Sequence, residues 1–185
     1  PHFLFNTLNS LSTLVMRGSQ SEAEAMIMNL SSFLRSSLEV DPEQLVSLDE
    51  EIALQRLYLD IEQARFPDRL QVAVDVPDAL GNACVPVLIL QPVIENAIKY
   101  GVAPSKGRIG IRVTVSSDYG LLILRVENDV DPAAPAPDPG IGLGLGNVRE
   151  RLITRYGPVA GCEWGRSGKG GFYVSLWLPL ARDGC

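Results

Sequence analysis

Residues 90–101 read LQPVIENAIKYG. The first half is apolar enough for a strand, but Ile94, Ala97 and Ile98 recur at helical spacing and Gly101 suits a helix end. Pro86 sits where a helix could begin, so the stretch reads as part of a helix with a kink at Pro92. On such a helix Glu95 and Lys99 stand one turn apart and Asn96 stands three residues before Lys99. The polar groups gather on one side, while the apolar residues point elsewhere. A carboxylate, an amide and an ammonium in one place suit a triphosphate carrying Mg²⁺. Asn96 supplies a neutral oxygen ligand for the metal, Lys99 meets phosphate charge, and Glu95 accepts a proton or orients a nucleophile. A merely solvated helix face would carry the same residues.

A second stretch, GIGLGLG at 140–146, points the same way. Gly140, Gly142, Gly144 and Gly146 alternate, and a helix is expected directly after them, from Asn147 to about Tyr156, stopped by Gly157 and Pro158. Glycines let a backbone turn its N–H groups toward an anion, and a helix start adds its positive dipole end. The run is not a Walker A loop, since no Gly-Lys-Ser/Thr follows it, and GRSGKGG at 165–171 lacks the hydroxyl residue too. It is not a dinucleotide fingerprint, because DVDPAAPAPDP (129–139), which reads as a mobile loop, precedes it in place of a strand. A flexible hinge is the plain alternative.

Outward from these stretches, LQVAVDV (70–76) alternates as a strand. RIGIRVTVSS (108–117) and GLLILRVEN (120–128) flank a turn as a hairpin, and GCEWG (161–165) and GFYVSLWLPL (171–180) form another. Trp164 and Trp177 read as core packing. Upstream, residues 2–16 read as an amphipathic helix with His2, Asn6, Asn9 and Thr13 on a polar stripe and Leu4, Leu8, Leu11 and Val15 opposite. Gly18 breaks it. A capping pattern, Ser21 to Glu24, starts a second helix with Ala23, Met26, Leu30, Phe33 and Leu38 on its apolar face. Two such stripes are buried by pairing with a second copy as a four-helix bundle, or by packing on the rest of the same chain. VDPEQ (40–44) is a linker, and a second capping pattern, Ser47 to Glu50, starts a helix to about Arg65. The chain therefore divides into a helical hairpin, 1–45, and an α/β unit, 46–185. The fold class is α+β, with a mixed sheet and helices on one face.

The 185 residues are 46% hydrophobic and 21% charged, with a net charge of −6, and no basic cluster suggests a nucleic-acid surface. No apolar run is long enough to span a membrane, and no signal peptide is visible. The chain starts at Pro1 inside a helix, so a longer protein with upstream sensor or membrane segments is expected. Cys84, Cys162 and Cys185 are odd in number and lack C-x-x-C spacing, which argues against a disulfide framework or a zinc site and for a reducing compartment.

PHFLFNTLNS (1–10), LYLDIEQARFPDRL (57–70), LQPVIENAIKYG and GIGLGLGNVRERLITRYG (140–157) occur in this order, and with them the chain closely resembles the LytS-type sensor histidine kinases over essentially its whole length. The resemblance implies a dimerisation and phosphotransfer hairpin followed by a Bergerat-type α/β sandwich. That sandwich belongs to the superfamily of gyrase, chaperone, kinase and MutL ATPases and binds ATP with Mg²⁺. It also implies a reaction: a histidine of the hairpin is autophosphorylated and passes its phosphate to an aspartate of a response regulator. His2 matches that histidine. Glu95 and Asn96 match the N box, with Asn96 on Mg²⁺, and Lys99 and Tyr100 fall beside phosphates and ribose. Gly140, Gly142, Gly144, Gly146 and Asn147 fall at the phosphate loop under a lid. The family further implies a homodimer through residues 1–45 and a cytoplasmic position in a bacterial inner-membrane protein.

Within this reading His2 is exposed on the polar stripe, and Asn6, one turn on, reaches the ring or the incoming phosphoryl group. Phe3 follows His2 where many histidine kinases carry an acid, so the proton acceptor is either Glu95 or a residue upstream of Pro1. One departure stands out. The superfamily's D-x-G-x-G aspartate, which accepts from the adenine amino group, is replaced by Asn128, followed by Asp129. The literal DPGIG at 138–142 abuts the glycine run and leaves no room for a lid. A neutral amide makes a weaker bond to adenine than a carboxylate does. A second reading follows: a degenerate nucleotide site in a dimeric, non-catalytic scaffold for a regulator. A hydrolytic clamp is a third, but such ATPases have no need of the PHFLFN hairpin.

Overall fold

The computed structural model describes residues 2–38, 40–131, 142–168 and 170–185, with His2, Gly142 and Leu143 described by backbone alone. Helix α1 (His2–Met16) ends where Gly18 takes φ +73°. The Gly18 N–H reaches the Val15 carbonyl at 3.1 Å and the Ser19 N–H reaches Leu14 at 3.0 Å, a Schellman closure. Helix α2 (Gln20–Leu38) starts one residue before the expected cap, so Ser21 and Glu24 lie inside its opening turns. Ala23, Met26, Leu30 and Phe33 are buried as expected, whereas Leu38 is exposed.

The α2 face packs on helix α3 (Leu48–Arg65) of the same chain. The rings of Phe3, Phe33 and Tyr58 join α1, α2 and α3, with centroids 4.9 Å apart for Phe3–Tyr58 and 5.6 Å for the other two pairs. Packing within the chain thus takes the stripe of α2. Phe5, Leu8, Val15 and Met16 of α1 stay exposed, with Ile27 and Met28 beside them.

Ser47 caps α3 as its sequence predicts: its Oγ accepts from the Glu50 N–H at 3.2 Å, and Glu50 accepts from the Ser47 N–H at 2.9 Å. Just before it, β1 (Leu45–Ser47) pairs antiparallel with β3 (Cys84–Pro86). Three-residue strands are too short to show a period, so neither was legible.

The main sheet has the order β2 (Leu70–Asp75), β4 (Ile109–Asp118), β5 (Leu121–Asn128), β7 (Phe172–Pro179), β6 (Gly161–Arg166). Only β2 and β4 are parallel. Tyr119 (φ 45°) and Gly120 (φ 79°) make the two-residue turn between β4 and β5. Ile109, Ile111, Val113 and Val115 of β4 and Leu122, Leu124 and Val126 of β5 point inward beneath the helices. Arg112, Arg125 and Glu127 lie on the open face, which confirms helices on one side.

Three expectations change. Pro92 does not kink a helix; it stands in the first turn of α4 (Gln91–Ala97), where its missing N–H costs nothing. A π turn, Ile98–Val102, continues α4. Helix α5 runs Gly142–Tyr156, so the glycines from 142 onward are helical and the helix starts before Asn147. Finally, Cys84 and Cys185 form a disulfide, leaving Cys162 free and buried. The two residues are 101 positions apart, with Cα atoms 5.5 Å apart. The tail reaches β3 because the Cys84 N–H bonds the Ala181 carbonyl at 2.7 Å. Rules based on local cysteine spacing cannot see such a pair.

Candidate functional site

The alternation of β5 carries Leu122, Leu124 and Val126 inward and then Asn128, which is 5% exposed. It lies under the π turn that follows α4. A Cβ on Gly101 would sit 2.6 Å from the Asn128 amide nitrogen, so Gly101 is required by close approach and not by a positive φ. Asn128 Nδ2 donates to the Asp129 carbonyl at 2.8 Å. Asp129 itself faces elsewhere. Its carboxylate accepts from the Gly110 N–H at 2.9 Å, and it lines a cleft of about 570 Å³ on the far side with Gln71, Arg112, Glu127 and Ser167. The structure brings Asn128 to α4 and leaves Asp129 apart.

Along α4 and the π turn that continues it, Val93, Ile94 and Ala97 are buried, Glu95 and Lys99 are exposed, and Asn96 and Tyr100 are half-buried. Gln91 Nε2 donates to Glu95 at 2.8 Å. Lys99 Nζ stands 4.8 Å from the centre of the Tyr100 ring. The approach to α4 is fixed by Glu51 of α3, a buried carboxylate that accepts from the Leu88 N–H at 2.7 Å, the Leu90 N–H at 2.9 Å and Gln55 Nε2 at 3.3 Å. Burial pushes its pKa up, and these bonds and Arg151 oppose the rise. Leu88 has φ 57°, a left-handed conformation unfavourable for leucine, and its bond to Glu51 helps to hold it. The sequence gives no hint of this role, because Glu51 reads as one more acid in the first turn of α3.

The start of α1 and α4 border the same cavity. Asn6 and Glu95 line one cavity of about 330 Å³, together with Phe3 and Lys99 and with Tyr58, Glu62 and Arg65 of α3. His2 is the first residue of α1 and immediately precedes Phe3. Glu62 is 1% exposed and accepts from Arg65 Nη1 at 3.1 and 3.3 Å. Burial raises the Glu62 pKa first and Glu95 adds to the rise, while Arg65 and the Tyr58 hydroxyl lower it. Burial likewise pushes the Tyr58 hydroxyl far above its ordinary value, with Glu62 and Glu95 adding to it. Glu62 and Arg65 lie within LYLDIEQARFPDRL, so the motif was visible but their part in the site was not.

Helix α5 packs on α4 and buries Leu145, Val148 and Leu152. Gly144 and Gly146 have no positive φ, and a Cβ on either would meet nothing within 4 Å. A helical glycine costs about 1 kcal/mol relative to alanine. No contact among the described residues accounts for that cost. Gly142 begins the helix, and Gly140 lies outside the described residues. Asn147 is exposed on the other side of α5, in a cleft of about 380 Å³ with Pro42 and Glu43. There Arg151 donates to the carbonyls of Val87 (2.8 Å) and Pro42, and Arg155 donates to that of Glu43 (2.8 Å).

No cluster of three or more histidine, cysteine or acidic side chains that could hold a metal occurs among the described residues. The single amide of Asn96 fits a Mg²⁺ ion that arrives on a polyphosphate and keeps most of its other ligands. No described helix is long and apolar enough to cross a membrane.

The histidine kinase family profile matches residues 1–70. Sensor histidine kinase BtsS of Escherichia coli (strain K12) is 37% identical over 168 residues, covering 88% of this chain and 29% of BtsS. Sensor histidine kinase/phosphatase LytS of Staphylococcus aureus (strain MRSA252) is 37% identical over 115 residues, covering 62% of this chain and 20% of LytS. The chain thus spans less than a third of either relative's length. Among solved structures, the catalytic domain of histidine kinase ThkA superposes with a TM-score of 0.54 at 17% identity, over 76% of this chain and 98% of that one. ThkA in complex with the response regulator protein TrrA gives 0.52 at 15% identity, over 100% of this chain and 60% of that one. These two show the fold.

Proposed function

The chain belongs to the sensor histidine kinase family, and from that premise we propose that it transfers the γ-phosphoryl group of ATP to His2 and then to an aspartate of a response regulator. The observation that carries the reading is the cavity shared by Asn6, one turn from His2, by Glu95 of α4 and by Lys99 of the π turn after it. A lone pair of a neutral His2 imidazole forms the N–P bond while the bond from γ-phosphorus to the β,γ-bridging oxygen breaks, and ADP leaves with that electron pair. The imidazolium so formed loses the proton of its other ring nitrogen to a base, for which Glu95 is the candidate on α4. Lys99 meets phosphate charge, Asn96 holds Mg²⁺, and Asn6 orients the ring. Mg²⁺ neutralises charge on the triphosphate. Gly142, Gly144 and Gly146 offer bare backbone to the phosphates, Tyr100 lies toward the ribose, and Asn128 takes the adenine end.

The outward apolar side of α1 supports a homodimer through residues 1–45. The protein's place is the cytoplasmic side of a bacterial inner membrane. Incubation with γ-labelled ATP and Mg²⁺, beside a His2→Ala variant, tests the reaction. Acid-labile, alkali-stable label that is absent from the variant is the expected result. The replacement of the superfamily aspartate by Asn128 favours the scaffold as second reading. In that case the wild-type protein neither labels nor binds ADP, yet still dimerises and holds a regulator.

A further inference from the structure

The motif LYLDIEQARFPDRL has so far marked the family without doing chemistry. Its helix supplies three residues to the cavity at the start of α1. We propose that Arg65 is the cation that meets the phosphoryl group on its way to His2, and that Glu62 is the positioning residue that holds Arg65 there. The inference rests on the kinase reading.

A phosphoryl group in transfer spreads negative charge over three equatorial oxygens, and a planar guanidinium fork suits them better than a single ammonium. Lys99, on the π turn after α4, is one cation lining this cavity. Arg65 is the other cation among the described residues that line it, within the same 330 Å³ as Phe3 and Asn6 on α1. Its direction is set twice over. Nη1 bonds both carboxylate oxygens of Glu62 at 3.1 and 3.3 Å, and the guanidinium carbon stands 4.7 Å from the Phe66 ring centre. Both bonds come from one terminal nitrogen, so the other edge of the fork has no hydrogen-bond partner among the described residues.

The plain alternative is an ordinary ion pair three residues apart on a helix. Burial argues against it. Glu62 is 1% exposed, and a carboxylate taken so far from water to meet only Arg65 and the Tyr58 hydroxyl is a poor source of stability compared with an apolar side chain. A holder for a functional cation explains why a charge is kept there.

The test uses the full-length protein. For wild type, Arg65→Ala and Arg65→Lys, the rate of His2 labelling at saturating ATP is measured beside ADP affinity by calorimetry. We expect labelling by Arg65→Ala to fall about 10²- to 10³-fold, with ADP affinity unchanged within about twofold. Lysine should restore little, and guanidinium ion added to Arg65→Ala should recover part of the rate. Labelling of Arg65→Ala or Arg65→Lys at the wild-type rate would overturn the proposal and leave the kinase reading intact. So would a rate loss matched by an equal loss of ADP binding. No His2 label on the wild-type protein would overturn both.

Discussion

Asn128 seats its amide against Gly101 so closely that the strand end and the π turn after α4 share one contact, with no room between them for a methyl group. Gly101→Ala should therefore overpack the joint. We expect it to cost about 1–3 kcal/mol of stability, read by denaturant unfolding, and to weaken ADP binding, because the turn that carries Lys99 and Tyr100 must shift. Asn128→Asp supplies the aspartate that the resemblance leads one to expect there but replaces the donor to the Asp129 carbonyl with a second acceptor. It should cost about 1–3 kcal/mol even if adenine binds better. An Asn128→Asp protein as stable as wild type would contradict the observed hydrogen bond.

Gly144 and Gly146 invite the opposite trade. Since a Cβ on either meets open space, Gly144→Ala and Gly146→Ala should each raise stability, by about 0.5–1 kcal/mol. Nucleotide affinity should fall in the same proteins. Thermal melts with and without ADP read both effects together. Alanine variants that bind ADP normally would show that the glycines do not serve the phosphates.

The cysteines can be counted directly. Unfolded without reductant, the chain should show one reactive thiol, that of Cys162, and with reductant it should show three. In the native protein Cys162 should react slowly even at alkaline pH, because burial pushes its thiol up to about 12. Cys185→Ser removes the bridge and should lower stability under oxidising conditions by about 2–4 kcal/mol, with no effect in reductant.

The buried carboxyls set a pH trend. Glu51 and Glu62 titrate above the ordinary 4.5 in the folded protein. Between that value and their raised ones the folded state holds more protons than the unfolded state. Their contribution to stability is thus fully present below 4.5 and is lost as the pH rises through the folded values. Glu62→Gln should flatten the fall in unfolding free energy on going from acid to neutral pH. A steeper fall in the variant would reverse the sign argued here.

Much of this molecule can be read from its residues because the strong signals are local. The Ser47 to Glu50 cap, the alternating strands and the Gly18 break are fixed by neighbours in sequence, and they appear where the periodicity puts them. What escaped the reading depends on distant partners. Whether Pro92 kinks a helix or opens one depends on the loop that Glu51 anchors. The glycines from 142 onward are helical because Leu145, Val148 and Leu152 find a core. Asn128 was legible as the end of its strand but its seat against Gly101 was not, and Asp129 and Asn147 point away from α4 for reasons of register and helix face. Arg65 and Glu62 sat in plain view, but their meeting with Asn6 requires α1 to fold back over α3.

The grip of Arg151 and Arg155 on the carbonyls of Pro42 and Glu43, with the Val87 N–H on that of Gln44 at 3.1 Å, bears on how such proteins can be recombined. A splice at residue 45 that imports a relative's hairpin would replace the peptide units these groups hold, even though both halves look intact on paper. Chimeras cut ahead of Pro42 keep the handshake. The modular unit that can be exchanged between relatives is therefore the sandwich together with its linker.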